Sequence, residues 1–379
     1  MTSRSLLITG VSGYIGGTIL SSILADKSQW TEQLDIHALV RSEAQANTVQ
    51  QLGVKPVMFS SFNETDRLEK IAEDFDGNPP TPPTSAPTSP HQNTVIIHAG
   101  AGWHTPSAKA LITGQGTRKA RIGQTAAPHY IQISGTSNLS DRPYTDNYTD
   151  THLFTDTEDI YSYEKYRESR ETYHQRTTDL TVCETGSALG VSTYIVMAPT
   201  IFGQGTGPFN RYSIQLPAMI ADALNSGAVS VVGKGNTVWS HVHIQDLAGL
   251  FVVMLQKICT GVEIPSGKKG IYFCETGEHS HREFSERLAV AACELGVLPS
   301  ADVREVSLQE AGEKLALGSV SRAELSFAAN ARTKAVLGRE LGWVPSHGDE
   351  WETTFHDEVS AFVKNPPGER DVPEFLRKR

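Results

Sequence analysis

Short apolar runs alternate with segments of helical periodicity through the first half of the chain. Strands are predicted at 6–8, 35–40, 54–60, 95–102, 129–133 and 193–197. Helices are predicted from the first glycine turn to residue 25, at 64–75 and at 107–124. This alternation predicts an α/β fold with a parallel, doubly wound sheet.

The pattern changes after residue 205. It predicts a loop and helix at 208–227, strands at 229–233 and 270–275, helices within 239–256 and 281–295, and a polar helical tail. We expect a main domain over 1–205 and a smaller substrate lobe over 206–379, with about 229–256 returning to the main domain. A Pro/Thr/Ser-rich stretch at 79–94 predicts a flexible surface insertion.

Three glycines follow the first strand. Gly10 lets the chain turn sharply, Gly13 removes a side chain so that backbone amides can approach a pyrophosphate, and Gly16 lets the next helix lie close to the strand. The N-terminus of that helix would face the phosphates with its positive dipole end. The stretch therefore predicts a dinucleotide site in a Rossmann-type domain.

The second strand ends in an arginine. In a dinucleotide fold, a carboxylate at this place binds the adenosine ribose 2′-hydroxyl, whereas an arginine suits a 2′-phosphate. Arg41 occupies the place and no acidic residue does. The sequence favours NADP(H) over NAD(H), and the alternative is a solvated arginine at a strand end.

Composition narrows the partners. The 379 residues carry a net charge of −10, and the pI of about 5.7 argues against nucleic acid or an anionic membrane surface. The four cysteines are far apart without metal-ligand spacing, which predicts no metal site and a reducing, cytoplasmic location. The chain starts with a strand rather than a leader, and no apolar run approaches membrane-spanning length.

Motifs in the same order resemble those of the extended short-chain dehydrogenase/reductases, the group of the epimerases and dehydratases. They are Thr-Gly-Val-Ser-Gly-Tyr-Ile-Gly at 9–16, Val-Arg-Ser at 40–42, His-Ala-Gly at 98–100, Gly-Thr at 116–117, Ser-Gly-Thr at 134–136, Pro-Thr-Ile-Phe-Gly at 199–203, His-Val-His-Ile-Gln-Asp at 241–246 and Leu-Gly-Trp-Val-Pro at 341–345. The resemblance implies a Rossmann-type sheet, a smaller C-terminal lobe and a bound dinucleotide.

The motifs and the resemblance together give a set of expected cofactor-binding residues. They are Gly10, Ser12, Gly13, Tyr14, Ile15, Gly16, Arg41, Ser42, Ser61, His98, Ala99, Gly100, Ser134, Pro199 and Thr200. Ser61 and Phe62 stand where the family usually carries an aspartate against the adenine. His104, at the same sheet edge, is either a substrate contact or a structural histidine.

The resemblance implies a catalytic hydroxyl after the fifth strand, and a tyrosine with a lysine four residues on. Thr136, Tyr161 and Lys165 fit by order and spacing. Residues four apart share one helix face, so Lys165 could favour the phenolate while Tyr161 transfers a proton.

A second position fits the chain length better. Tyr161 lies 38 positions before Pro199, in a polar segment, whereas Tyr173 lies 26 positions before it. Tyr173 has Thr177 four residues on, and a threonine supplies no positive charge. Arg176 or Lys165 could substitute for the missing lysine, and a third alternative is that neither tyrosine is catalytic.

The function predicted is an NADP-dependent oxidoreductase acting on a carbonyl or alcohol of a small organic molecule, which could be a secondary metabolite. One alternative is an epimerase, dehydratase or isomerase with a bound dinucleotide. Another is a non-enzymatic dinucleotide sensor, which the displaced tyrosine and lysine favour. The resemblance also allows a homodimer, and the identity of the substrate lies beyond the sequence.

Overall fold

A computed structural model describes residues 4–75 and 94–368. The predicted insertion at 79–94 lies outside the described residues, apart from Thr94. The strands are β1 Arg4–Thr9, β2 Leu34–Val40, β3 Lys55–Met58, β4 Val95–His98, β5 His129–Gly135, β6 Leu153–Thr155, β7 Ser192–Ala198, β8 Thr200–Phe202, β9 Val229–Val232, β10 Val238–His243, β11 Ile271–Phe273, β12 Gly277–Ser280, β13 Val303–Val306 and β14 Arg332–Lys334.

Helices separate these strands along most of the chain. They are α1 Tyr14–Ala25, α2 Glu43–Gln51, α3 Thr65–Glu73, α4 Thr105–Arg121, α5 Ile160–Arg170, α6 His174–Leu189, α7 Gln215–Ser226, α8 Ile244–Thr260, α9 His281–Glu294, α10 Leu308–Leu315, α11 Val320–Phe327, α12 Leu337–Glu340 and α13 Thr354–Lys364.

Seven strands form one parallel sheet in the order β11-β7-β5-β4-β1-β2-β3. The strand order reverses between β1 and β4, where Thr9 pairs with His98. In open sheets of this kind, ligands bind beyond the carboxyl ends of the strands at the reversal. The predicted doubly wound sheet is confirmed, and its reversal brings the glycine loop next to the end of β4.

Two apolar cores hold the molecule together. The larger surrounds the seven-stranded sheet and includes side chains of α1, α4, α6 and α8. The smaller lies among α7, α9, α10, α11 and α13. The second core forms the C-terminal lobe.

Some elements after residue 205 contact the main domain, while others stay in the lobe. The strand β9 pairs with β13 inside the lobe, whereas β11 joins the main sheet beside β7. The apolar helix α8 packs against α1. The returning segment is therefore α8 with β11, and β9 stays in the lobe because its partner strand is there.

Candidate active site

The glycine loop is shaped by close contacts within the protein. Gly10 has φ +76°, and a Cβ built on it would lie 2.5 Å from the Cα of Gly100. A Cβ on Gly16 would lie 2.4 Å from the carbonyl oxygen of Gly10. Larger residues are excluded at both positions because backbone cannot move aside as a side chain can.

Gly13 differs from its two neighbours. A Cβ there would approach only the Gly10 oxygen, at 3.3 Å, so the missing side chain leaves space above the loop. Gly13 is also the N-cap of α1 and gives that helix no side-chain cap. The first amides of α1 thus face the space that Gly13 leaves, which fits an anionic pyrophosphate.

The neighbouring loop side chains have structural partners. The Tyr14 hydroxyl is buried and donates to the carbonyl oxygen of Gly203 at 2.5 Å. The Ser12 carbonyl accepts from the amide of Asn210 at 3.4 Å. Ile15 is half-buried at the first turn. At positions 14 and 15, the backbone amide rather than the side chain is therefore the group available at the N-terminus of α1.

The end of β2 carries an exposed arginine. Arg41 follows directly after Val40, and Ser42 caps α2 by accepting from the amide of Gln45 at 3.3 Å. The carboxylate of this strand, Asp35, lies near its other end and is engaged by Lys55 at 2.7 Å. The edge where an adenosine ribose would lie therefore carries a guanidinium and a helix N-terminus, together with the exposed Glu43 of the first turn.

An aromatic ring lies beside the glycine loop. A Cβ built on Gly100 would lie 2.5 Å from the Phe62 ring, and that ring lies 5.2 Å from the His98 ring. The hydroxyl of Ser61 accepts from the amide of Asn63. Phe62 thus gives an apolar surface next to Gly100. Together with Ser61, it stands where the resemblance predicts an aspartate.

The side chain of His98 is fully buried against β1 and α4. Its Nδ1 is 2.6 Å from the Thr9 hydroxyl and its Nε2 is 3.1 Å from the Ser107 hydroxyl. Burial lowers the pKa of His98 to about 3, so the ring is neutral. Because its side chain is buried, His98 presents only its backbone at the carboxyl end of β4, directly before Ala99. His104 caps α4 by accepting from the Ser107 amide at 3.1 Å, which is a structural role.

The ends of β5 and β7 lie side by side. Gly135 pairs with Ala198, so Ser137 and Thr200, each two residues further on, leave adjacent strands at the same edge. Pro199 and Thr200 are buried, and the Thr200 hydroxyl has no hydrogen-bond partner among the described residues. This edge holds the polar groups nearest the expected nicotinamide end of a dinucleotide.

Tyr173 and Ser137 form a hydroxyl pair at this edge. Their oxygens are 3.1 Å apart, and the Tyr173 ring lies 5.5 Å from the Trp103 ring in an edge-to-face contact. The Gln175 amide, with its nitrogen towards Ser137, donates to the Ser137 hydroxyl at 2.8 Å and accepts from Trp103 Nε1 at 3.1 Å. The pair is thus held by residues that follow β4 and β5 and by residues at the start of α6.

The phenol of Tyr173 keeps its proton at neutral pH. Burial raises its pKa to about 12, although the Ser137 hydrogen bond and the charges of Arg142, Arg176 and Arg322 act in the opposite direction. A group in this state can donate a proton or a hydrogen bond to a bound oxygen.

The structure does not bring Tyr161 and Lys165 to this edge. The Tyr161 hydroxyl donates to Glu184 at 2.8 Å, and its ring lies 4.5 Å from the Nζ of Lys268. Lys268 precedes β11, at the amino edge of the sheet, and Lys165 is 65% exposed. Glu184 lies 11 residues after Tyr173, or about 16 Å along α6. Tyr161 therefore joins α5, α6 and the turn before β11, away from the glycine loop.

Thr136 is buried, and its hydroxyl has no hydrogen-bond partner among the described residues. The hydroxyl that contacts a tyrosine is the next one, Ser137. Sequence spacing gave Tyr173 as an alternative, but it gave no indication of Ser137 or Gln175. The one available signal for Ser137 was the run Ser-Gly-Thr-Ser after β5, which offers three hydroxyls without ranking them.

A buried carboxyl pair lies behind Ser134. The Ser134 hydroxyl donates to Asp179 at 2.5 Å, and the Asn138 amide donates to both Asp179 and Glu164, at 2.7 and 2.8 Å. Both carboxyl groups are fully buried. Burial raises the pKa of Asp179 to about 8 and that of Glu164 well above its ordinary value. Ser134 thus serves a buried network rather than facing the site.

Residues 4–75 and 94–368 hold no group of three or more His, Cys, Asp or Glu side chains arranged for a metal ion. Within the same ranges, every helix is too short or too polar to cross a bilayer.

Comparison with known proteins shows which family model and which relatives the chain is similar to. Residues 121–264 match the NAD dependent epimerase/dehydratase family. The chain is 22% identical over 359 residues to a protein from Acremonium sp. named oxidase ucsJ, covering 90% of this chain and 93% of that one.

Solved structures share the fold over nearly the whole length. The dTDP-glucose 4,6-dehydratase DesIV of Streptomyces venezuelae superposes with a TM-score of 0.59 at 18% identity, covering 99% of this chain and all of that one. The UDP-glucuronic acid 4-epimerase of Bacillus cereus gives a TM-score of 0.54 at 13% identity, covering 95% and 100%. Both of those structures contain NAD. The resemblance found in the motifs is therefore confirmed: residues 121–264 match the model of the NAD dependent epimerase/dehydratase family, and the chain shares its fold with these two solved structures over nearly its whole length.

Proposed function

We propose that the protein is an NADP(H)-dependent oxidoreductase that reduces a carbonyl group of a small organic molecule. The observation that carries this proposal is the hydroxyl pair of Tyr173 and Ser137, 3.1 Å apart at the sheet edge that also bears the glycine loop. In this assignment Tyr173 replaces Tyr161 as the acid, and Ser137 replaces Thr136 as its hydroxyl partner. Lys165 has no catalytic role because it is exposed to solvent beside Glu184.

The protonation state of Tyr173 supports reduction rather than oxidation. With a pKa of about 12, the phenol is protonated at neutral pH and can donate its proton to a substrate oxygen. Alcohol oxidation needs a base at the same place, and a protonated phenol is a poor one. Ser137 supports the donor by fixing the phenolic oxygen, and Gln175 in turn fixes Ser137.

The residues at the sheet edge fit a dinucleotide. The amides at the N-terminus of α1 would hold the pyrophosphate, and Arg41 with the N-terminus of α2 would hold a ribose 2′-phosphate. A reduced nicotinamide bound there would supply a hydride for the carbonyl carbon of the substrate. Tyr173 supplies the proton for the carbonyl oxygen, so that an alcohol is formed, and regains a proton from solvent.

Epimerase or dehydratase chemistry is the second candidate, because the similar solved structures are named for it. Such a cycle begins with oxidation of a substrate hydroxyl and so needs the deprotonated tyrosine. The relative from Acremonium sp. is named for net oxidation, which is redox chemistry like the first candidate but in the opposite direction. The two candidates are separated by incubating the protein with NAD and either UDP-glucose or dTDP-glucose and looking for an altered sugar nucleotide. We expect none, and its formation would favour the second candidate.

The cofactor is tested by titrating the protein with NADPH and NADH and following nicotinamide fluorescence. We expect tighter binding of NADPH, and loss of this preference in Arg41→Ala. The Arg67→Ala variant is the matched control, because Arg67 is an exposed arginine on α3 that bonds the Met58 carbonyl. Equal binding of both dinucleotides by the unaltered protein would overturn the NADP assignment, and binding of neither would overturn the dinucleotide site.

The catalytic assignment is tested with two tyrosine variants that lose the same hydroxyl. Against a panel of ketones and aldehydes, Tyr173→Phe should lower kcat by about 10²- to 10⁴-fold, as expected for loss of an acid catalyst. Tyr161→Phe should keep kcat within about twofold. The reverse ranking would restore Tyr161 as the acid. Tight NADPH binding without turnover of any carbonyl would favour the dinucleotide sensor.

A further inference from the structure

The lysine of the family pattern has no equivalent on α6. Thr177 stands four residues after Tyr173, and its hydroxyl donates to Glu168. A cation near the catalytic tyrosine favours the deprotonated state that forms when the proton leaves. The charge must therefore come from elsewhere if Tyr173 is to transfer its proton readily.

Two of the three arginines that act on Tyr173 are already matched by carboxylates. Arg142 pairs with Glu171 and lies 3.7 Å from Glu324. Arg176 lies 3.5 Å from Glu168, whose carboxylate also accepts from the Tyr173 amide at 3.0 Å. Each of these arginines thus has a carboxylate beside it, although both still lower the pKa of Tyr173, and the guanidinium carbon of Arg176 lies 5.6 Å from the centre of the Tyr173 ring.

Arg322 is different. It belongs to α11 in the C-terminal lobe, and its guanidinium carbon lies 5.9 Å from the centre of the Trp103 ring, which in turn contacts the Tyr173 ring. The side chain is half-buried, and its charge acts on Tyr173. Within residues 4–75 and 94–368, no carboxylate lies at ion-pair distance from it.

We propose that Arg322, held against Trp103, adds from the C-terminal lobe a positive charge without a carboxylate partner near Tyr173, where Thr177 of α6 provides none. The inference rests on the proposed role of Tyr173 as the proton donor. Arg322 acts as a positioning residue, because it influences the reaction through the phenol and through Trp103. The first turn of α11 fixes its place, since Ser319 caps the helix by accepting from the Arg322 amide at 3.3 Å.

This arrangement divides the proton-transfer site between two parts of the fold. Ser137 and Tyr173 come from the main domain, whereas the unmatched cation comes from the lobe. The positive charge of Arg322 acts on Tyr173 only while α11 lies against Trp103. Proton transfer is thereby linked to the position of the lobe, which a lysine on the helix of the tyrosine would not achieve.

The test measures the titration of residue 173 directly and does not depend on finding a substrate. A 3,5-difluorotyrosine is placed at position 173, because its phenol loses its proton at a lower pH than tyrosine. Its titration is followed by fluorine NMR in the full-length protein. Replacing Arg322 by methionine, which is similar in size and uncharged, should raise the measured pKa by about one pH unit at low ionic strength.

Two further variants make the result specific. Arg322→Lys should retain more than half of the effect of the arginine because it keeps the charge. Arg282→Met should leave the titration unchanged, since Arg282 lies in the same lobe but pairs with Glu286 and Glu305. Circular dichroism establishes that each variant is folded.

An unchanged pKa in folded Arg322→Met would overturn the proposal, and so would a Lys variant that behaves like the Met variant. The outcome is independent of the proposed activity. If no carbonyl is turned over but the pKa shift is found, the charge assignment stands and the reductase assignment fails. If turnover is found without the shift, the reverse holds.

Discussion

Glu164 and Asp179 place two carboxyl groups in one buried pocket behind the hydroxyl of Ser134. Two ionised carboxylates in such a place repel each other and lose hydration, so the pair retains a proton at neutral pH. Asn138 bridges the two acids, and its carbonyl oxygen accepts from Arg176 at 3.1 Å. The network thereby fixes Asn138, the residue next to Ser137. The position of Ser137 thus depends in part on the protonation of Glu164 and Asp179.

The acid pair predicts a decline of stability as the pH rises. The folded protein holds a proton on Asp179 up to a pKa of about 8, whereas the unfolded chain loses it near pH 4. Between these values the folded state binds more protons, so the free energy of unfolding falls by up to about 1.4 kcal/mol per pH unit. Asp179→Asn imitates the protonated acid and should flatten this fall.

Thermal unfolding between pH 5 and pH 9, read by circular dichroism, checks the prediction. Asp302→Asn is the control because Asp302 is an exposed acid on the same chain. A slope equal to that of the unaltered protein in Asp179→Asn would show that the pair carries no excess proton.

At the residue scale, the sequence predicted the glycine loop better than the pair of hydroxyls, Tyr173 and Ser137, at the edge of the sheet. Gly10 and Gly16 were predictable because their role is local: each must allow a neighbouring backbone atom within 2.6 Å of its missing Cβ. Tyr161 and Lys165 have the right spacing on one helix, but spacing carries no information about which edge of the sheet the helix reaches. Only the chain length to β7 favoured Tyr173, and Arg322 could not be predicted because its contact with Trp103 spans 219 residues.

Glycines also set how closely α3 and α4 pack. A Cβ on Gly114 of α4 would lie 2.2 Å from the Glu69 carbonyl oxygen and 2.7 Å from the Ala72 Cβ. Gly249 of α8 is likewise inside a helix, but its Cβ would first meet Trp343 Nε1, at 3.8 Å. The same residue type therefore permits close helix contact in α4 and has no such role in α8.

The two glycines predict opposite effects of one substitution. Gly114→Ala should lower the free energy of unfolding by about 1–3 kcal/mol, because the added methyl forces α3 and α4 apart. Gly249→Ala should raise it by up to about 1 kcal/mol, since alanine is the better helix former and the space is free. Urea unfolding of both variants measures the difference. A stabilised Gly114→Ala would mean that the α3–α4 contact adjusts without cost.

The strands and most helices of the main domain were predictable because their apolar periodicity is strong. The segment from Asp156 to Arg176 was not, because its polar residues give no apolar face. It forms α5 as a separate short helix, ended by the extended backbone of Glu171, before α6 begins after Tyr173. The Tyr-x-x-x-Lys spacing therefore lies on the short polar helix α5 and not on α6, the helix that leads into β7.

At the scale of the whole molecule, α13 joins the lobe to the main domain. Its Glu358 is buried and accepts from the Gly203 amide at 2.8 Å, and the Gly203 carbonyl accepts from Tyr14 at the start of α1. Phe355 of the same helix is 2% exposed and contacts the rings of Phe284 and Trp351. The helix thus belongs to the second core while its hydrogen bonds reach the glycine loop.

Phe355→Ala should separate the two functions of the fold. Loss of this buried ring should cost about 3–5 kcal/mol of unfolding free energy, because it leaves a cavity in the second core. NADPH affinity should stay within about twofold, since the glycine loop packs in the first core. Carbonyl turnover should fall at least tenfold, because α11 and Arg322 depend on the lobe.

Tyr166→Ala is the control for loss of an aromatic ring, as Tyr166 is 56% exposed. Urea unfolding, NADPH titration and turnover are measured on the same preparations, and a parallel loss of NADPH binding and turnover would show that the lobe is needed to form the dinucleotide site itself.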